Sequence, residues 1–411
     1  MLLLHRFRLF LVGLIALSVS LPMAWISLGK LALFVTCFIV LTGRWSQRAS
    51  DEALGRLWTV RIVIAIVAVF GLSLLWTQAP TDIATLAFAK HGKLIEIAML
   101  ATLIRTRRDA MLALSVFALS QTFFIASSWL MVVGYRVPWA TSELVDAYKH
   151  VVYSTYLDQT LMFAASGAVL WHLRSYWPRA RWVAGTVALA AIVNVLFFQD
   201  GKTGYLAALT ALTLIVMWQI PRRWRLISVL VAPIVLALVA YGSSTKIQSK
   251  VALVVNESQT YNASGDSVSS SGFRLHAWRR SMQAIAERPW IGHGVGSWTT
   301  TVKRLEGAKA NDIFGSNPSS NPHQEYLLWG VELGLGGSVL LLLLLVSLVR
   351  DARQFPAPVM RATVSVTAVM AVGCLFNSSL YDALIGDYFC ITLGVLLALG
   401  LRIPSARETA N

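Results

Sequence analysis

Apolar residues run through this chain in long unbroken stretches, and the polar gaps between them set its plan. Segments of about 17–25 apolar residues, enough to cross a bilayer as a helix, recur from end to end. Roughly twelve are predicted, centred near Leu14, Val35, Val67, Ala98, Phe117, Phe163, Leu189, Thr213, Val231, Leu341, Val369 and Leu393. The first two are poorly separated between Pro22 and Lys30. The opening HRFRLFLVGLIALSVS has the charged start and apolar body of a signal peptide. Further spans follow at once, so it reads as an uncleaved first helix. The expected fold is therefore an all-α integral membrane protein of about 12 transmembrane helices.

One polar interruption is far longer than the rest. It divides the chain into residues 1–241 with the first nine spans, a large partly helical loop over 242–325, and residues 326–411 with the last three spans. Its centre, NASGDSVSSSG from Asn262 to Gly272, is of low complexity. FRLHAWRRSMQAIAER follows and reads as a helix starting near Ser271 or Gly272. Its apolar stripe is Leu275, Trp278, Met282 and Ile285, at i, i+3, i+7 and i+10. Pro289 ends it, and WIGHGVGSW turns back through its glycines.

Composition agrees with the hydropathy plan. The chain is 56% hydrophobic and 13% charged, with a mean hydropathy of +0.63, outside the soluble globular range. A net charge of +15 would suggest nucleic acid in a soluble protein. Here the arginines cluster in alternate loops, as in Arg105, Arg107 and Arg108, or Arg222, Arg223 and Arg225. This positive-inside pattern puts both termini in the cytoplasm and the large loop outside, with no nucleic acid implied. Cys37, Cys374 and Cys390 all fall in apolar spans without metal-ligand spacing, and read as buried thiols.

An outward-facing loop has no access to ATP or nucleotide sugars, so any transfer there needs a donor already activated and membrane-borne. Gly201-Lys202-Thr203 lacks the first glycine of a P-loop, since position 196 is leucine. Lys202 nonetheless stands at an external helix start, suited to an anionic headgroup or to simple snorkelling. Lys90, His91, Lys93 and Glu96 lie in the fourth span, where Lys93 and Glu96 at i, i+3 would neutralise each other. Arg136, Lys149 and His150 add positive charge between spans five and six. Arg274 lies in the first turn of its predicted helix, where a cation is disfavoured unless an anion is near. Its planar fork suits paired phosphate oxygens. His323 follows a turn-forming Asn-Pro just before an apolar run starting at about Tyr326, and so stands at the lipid–water boundary. His276 and His293 are weaker candidates. No Asp-x-Asp pair, His-Glu-x-x-His or Gly-x-Ser-x-Gly occurs in an external segment. An enzyme built here would use a histidine as base and neutralise its leaving group with Arg and Lys, without metal or other cofactor.

FRLHAW at Phe273–Trp278, RPWIGHGVGSW at Arg288–Trp298 and NPHQEYLLWGVELGLGG at Asn321–Gly337 together resemble the O-antigen ligase family. That family forms a superfamily with O-antigen polymerases and protein oligosaccharyltransferases. The resemblance implies transfer of a glycan from undecaprenyl pyrophosphate to a sugar hydroxyl of lipid A–core, on the periplasmic face of the bacterial inner membrane. It assigns the essential histidine to His323 and the loop arginine to Arg274. A third family position, usually arginine, is Lys202 here. Arg136, Lys149 and Lys90 would assist at the pyrophosphate. An O-antigen polymerase using the same donor is the alternative, and a lipid-linked glycan flippase is the alternative from another class.

Overall fold

The computed structural model describes residues 2–42, 55, 57–142, 150–153, 155–264, 269–307 and 321–403. Among these the regular structure is helical and no strand occurs. The order begins with α1 (Leu2–Ser18), α2 (Met23–Thr42), α3 (Trp58–Ser73), α4 (Thr81–Gly92), α5 (Ile95–Leu103) and α6 (Arg107–Val132). It continues with α7 (Tyr156–Leu173), α8 (Arg181–Val193), α9 (Lys202–Gln219), α10 (Arg225–Ser243), α11 (Thr245–Ser264) and α12 (Ser270–Glu287). It closes with α13 (Trp298–Glu306), α14 (Glu325–Leu333), α15 (Leu335–Ala352), α16 (Ala357–Phe376) and α17 (Ala383–Arg402).

Six helical segments are long and apolar enough to cross a membrane: Arg107–Val132, Arg181–Phe198, Arg222–Ser243, Leu335–Ala352, Ala357–Phe376 and Ala383–Arg402. Of the others predicted as spans, α1 and α3 are shorter, whereas α7 and α9 are as long as α15 but less apolar. The fourth stops at Gly92 and resumes at Ile95, so it forms α4 and α5 rather than one helix. Lys93 sits in that break. It turns to the Asp382 carbonyl at 2.7 Å and to Asp387 Oδ1 at 3.7 Å, instead of pairing with Glu96. The run from Tyr326 is likewise split at Gly334, whose φ of +71° suits glycine.

Burial separates centre from rim. The span in α17 is 94% buried and contacts α5, α6, α7 and α16, whereas that of α10 is 11% buried. A helix apolar all round belongs inside a bundle. Ile227, Leu230, Val231 and Val235 on α10 are exposed, the face expected to meet lipid. The three cysteines are free and buried, as their placement in apolar runs implies.

The large polar segment is more helical than its sequence suggests. The helix α11 occupies Thr245–Ser264, covering the start of the low-complexity stretch. Ser269 caps α12, accepting from the Gly272 amide at 3.0 Å. Its buried stripe is Gly272, Ala277, Ser281 and Ala284, and Met282 is exposed. Small residues let α12 lie close on α14, so the predicted apolar stripe is rotated away from the deepest contact.

Candidate active site

The sequence NPH folds into a turn at the base of α14. Asn321 Oδ1 accepts from the His323 amide at 2.9 Å, and the Pro322 carbonyl accepts from Trp278 Nε1 of α12 at 3.0 Å. His323 has φ +51°, a left-handed conformation costing a non-glycine residue on the order of 1–3 kcal/mol. The surrounding contacts hold it there. Phe273 of α12 packs edge-on to its ring, with centroids 5.9 Å apart.

Its tautomer follows from a chain of three side chains. His323 Nδ1 lies 3.2 Å from Asn377 Oδ1, and Asn377 Nδ2 donates to Asp382 Oδ2 at 3.1 Å. A carboxylate accepts, so the amide nitrogen of Asn377 faces Asp382 and its oxygen faces the imidazole. Nδ1 therefore carries the proton, leaving the Nε2 lone pair available to a substrate. Burial holds the His323 pKa below its ordinary 6.5; the Arg274 charge acts in the same direction and the Asn377 bond opposes both. A base kept neutral near pH 7 is the outcome.

Arg274 is next to Phe273 on α12 and its charge reaches His323. Burial pulls its guanidinium below the ordinary value, while Tyr156 and Glu257 oppose this. Lys202, at the first position of α9, has its Nζ 2.9 Å from Glu257 Oε2 and 3.3 Å from Ser271 Oγ. Burial raises the Glu257 pKa, but Ser271 and Lys202 outweigh it and hold the carboxyl low. The ion pair ties α9 to α11 and to the start of α12.

Arg274, Lys202 and Ser271 stand at the wall of a cavity of 870 Å³ between α9, α10, α11 and α12. The rest of its lining is mainly apolar, including Leu206, Leu209, Ile234, Leu238 and Val251. Lys250 also lines it, lying 3.8 Å from Asp200 Oδ1, and Lys246 lies 3.0 Å from the same oxygen. An apolar chamber with cations at its wall suits a molecule with a hydrocarbon tail and an anionic head.

The other candidates are scattered. Arg136 is exposed and does not line the cavity. Lys149 lies outside the described residues. Lys90 lies over the Tyr381 ring at 4.2 Å, on the Asp382 side of the histidine network. His91 Nε2 is 2.8 Å from Glu332 Oε2, and Glu332 Oε1 accepts from the Gly296 amide at 2.8 Å. This pins the glycine turn to α14. His276 and Arg280 both meet Glu306, at 3.0 and 2.6 Å. His293 Nε2 donates to the Ala284 carbonyl at 2.9 Å, a structural tether. His150 has φ +61°, and its carbonyl accepts from Ser128 Oγ at 2.8 Å and Gln159 Nε2 at 2.9 Å. Among the described residues no three His, Cys, Asp or Glu side chains converge as metal ligands would.

Residues 187–342 match the family model described as O-antigen ligase. Over that segment the chain is similar to the O-antigen ligase family. The match runs from α8 into α15 and so includes Lys202, Arg274 and His323. No curated protein matches the chain. Members of that family are glycosyltransferase-like enzymes of the ligase and polymerase kind, and the family implies a lipid-linked glycan substrate and a membrane setting. Asn377 and Asp382 fall after the matched segment, yet they hold the histidine inside it. Sequence reasoning missed them, although a polar NSSLYD between two apolar runs was visible.

Proposed function

We propose that this protein is an O-antigen ligase, moving a glycan from undecaprenyl pyrophosphate to a sugar hydroxyl of lipid A–core. The observation that carries the reading is the 870 Å³ apolar cavity with Arg274 and Lys202 at its wall, beside His323. The cavity takes part of the polyprenyl chain, and the two cations meet the pyrophosphate. The acceptor hydroxyl oxygen attacks the anomeric carbon as its proton passes to His323 Nε2. The carbon–oxygen bond to phosphate breaks, and undecaprenyl pyrophosphate leaves with its negative charge against Arg274 and Lys202. One displacement inverts the anomeric centre and forms no covalent glycosyl-enzyme.

In this reading the large loop over 242–325 faces the periplasm, both termini face the cytoplasm, and about twelve segments traverse the inner membrane. Arg136 and Lys90 contribute to the positive potential around the site without touching the reacting atoms. No ATP or divalent metal is needed, because the donor bond supplies the driving force and guanidinium and ammonium groups supply the counter-charge.

The test uses purified protein, a defined undecaprenyl-pyrophosphate glycan and either lipid A–core or a second lipid-linked glycan as acceptor. Product on lipid A–core, unaffected by EDTA and reduced about 10²–10⁴-fold in a folded His323→Ala variant, is expected. Extension of the lipid-linked acceptor alone would make the protein a polymerase. Near wild-type transfer by His323→Ala would remove it as the base.

A further inference from the structure

A second cationic cluster lies at the other end of the helices that build the site. Arg361 precedes Asn377 by 16 residues along α16, roughly 24 Å at helical rise. Trp218 follows Lys202 by 16 residues along α9, the same roughly 24 Å. Arg174 follows the end of α7, whose first residue, Tyr156, faces Arg274. Three helices thus place this cluster across the apolar thickness from His323.

The cluster is assembled rather than splayed. The Arg225 and Arg361 guanidiniums stand over the same indole, with Cζ 4.9 Å and 5.5 Å from the Trp218 ring centroid. Arg174 stacks on Trp171 at 4.0 Å. Arg225 and Arg174 are the charged groups that Arg361 meets, and His172, bonded to Ser365 Oγ at 3.1 Å, faces Arg361 and Arg174. Among the described residues none of the three arginines forms an ion pair with a carboxylate. Three like charges on flexible stems would separate in water; here the two indole faces and the Trp171 and Ile220 carbonyls, which accept from Arg174 Nη1 and Arg225 Nε, hold them together.

Hydrogen bonding points the same way. Arg361 Nε, Trp171 Nε1 and Trp218 Nε1 are sealed from solvent and have no acceptor among the described residues. Buried donors normally find one. Arginines that merely snorkel direct their N–H groups at bulk water instead. Beside the cluster, α10 presents exposed Leu226, Ile227 and Leu230, and Trp182 and Trp224 are exposed near it in sequence, as in an interfacial aromatic belt.

We propose that Arg174, Arg225 and Arg361 form a binding site for the phosphodiester headgroup of an anionic phospholipid, in the leaflet opposite the active site. The half-exposed guanidiniums meet the phosphate oxygens. The apolar face of α10 takes the acyl chains, which a free phosphate lacks. The site is independent of donor chemistry and stands whichever glycan is transferred.

The experiment takes the full chain in neutral detergent with dioleoylphosphatidylglycerol, dioleoylphosphatidylcholine or inorganic phosphate. Retained lipid is counted by native mass spectrometry, and thermal unfolding is followed in parallel. Phosphatidylglycerol should be retained and should raise the unfolding midpoint, with no such effect of phosphatidylcholine or phosphate. Arg174→Gln and Arg361→Gln should each weaken retention by about fivefold. Trp218→Phe keeps an aromatic ring but removes the indole N–H, and should weaken retention with little loss of stability. Equal retention by wild type and both arginine variants would overturn the site. Equal retention of phosphatidylcholine would overturn anion recognition, and an equal midpoint shift with phosphate would overturn the lipid assignment.

Discussion

Replacing Asn377 by leucine removes the acceptor that fixes the His323 tautomer while keeping the side chain close in volume. The lost contact is one neutral hydrogen bond of 3.2 Å, and the 3.1 Å bond from Asn377 to Asp382 goes with it. A neutral hydrogen bond contributes about 1 kcal/mol net, and 1.36 kcal/mol is tenfold in rate. Loss of both bonds, with the imidazole free to rotate or carry its proton on Nε2, predicts a fall of about 10–100-fold in kcat. The effect on KM should be small, because Asn377 does not line the donor cavity. Asn377→Asp separates a tautomer role from a packing role. The introduced carboxyl and Asp382 would share a proton, as like charges about 3 Å apart do, and the remaining negative charge drawn towards Nδ1 favours the imidazolium and raises the His323 pKa. In the wild type, burial and Arg274 hold that pKa below 6.5, so the acid limb of the rate profile lies below it. The base must be neutral, hence Asn377→Asp should move the acid limb to higher pH. Rate–pH profiles of purified wild type and both variants, at saturating donor and acceptor, decide the matter. An unmoved acid limb in Asn377→Asp, together with near wild-type kcat in Asn377→Leu, would refute the orienting role.

Arg274→Lys should lower kcat/KM by about tenfold or more, since a point charge cannot replace paired hydrogen bonds, whereas Lys202→Arg should retain transfer because arginine can keep the Glu257 contact; donor titration of both variants checks this. Ala237 lines the cavity, so Ala237→Phe should raise the donor KM while leaving the kcat reached at saturation within a few-fold; an unchanged KM would place the lipid chain elsewhere. Gly334→Ala places a Cβ 2.5 Å from the Pro289 carbonyl oxygen at φ +71°. Left-handed backbone alone costs about 1–2 kcal/mol, so the detergent unfolding midpoint should fall by several degrees.

The hydropathy pattern was enough to read the all-helical membrane plan, because every crossing segment must satisfy its own backbone hydrogen bonds. It did not reveal where helices break. Lys93 and Leu94 interrupt the fourth apolar run without proline, and the reason is tertiary: the Lys93 ammonium reaches the Asp382 carbonyl and Asp387. His323 and Arg274 stood out as candidates because each is an ionisable group placed at a boundary or helix start where it has no local reason to be. Lys202 was legible as a cation, but its Glu257 partner lies 55 residues on, in a helix taken for loop. Asn377 and Asp382 were invisible as site residues for a similar reason. Their partner His323 is 54 residues before Asn377, and neither carries a motif of its own.

The breaks and the candidate site are tied together through α14. Irregular backbone at membrane depth persists only where protein or a cavity satisfies its polar groups. Glu325, at the first position of α14, accepts from Trp329 Nε1 at 2.8 Å and from the Leu380 and Tyr381 amides at 2.9 and 3.2 Å. It thereby serves the turn that joins α16 to α17, which also carries Asp382. Glu332, seven residues on, serves the glycine turn at Gly296 and His91 beside the α4–α5 break. One short helix thus satisfies two irregular segments that would otherwise leave buried amides unpaired, and His323 stands two residues before its start. Splitting the run at Gly334 lets α14 take a direction that α15 does not share. The histidine is therefore positioned by a nine-residue element clamped on both sides. An unbroken span through Gly334 would have held α14 to the line of α15 and moved His323 relative to Asn377.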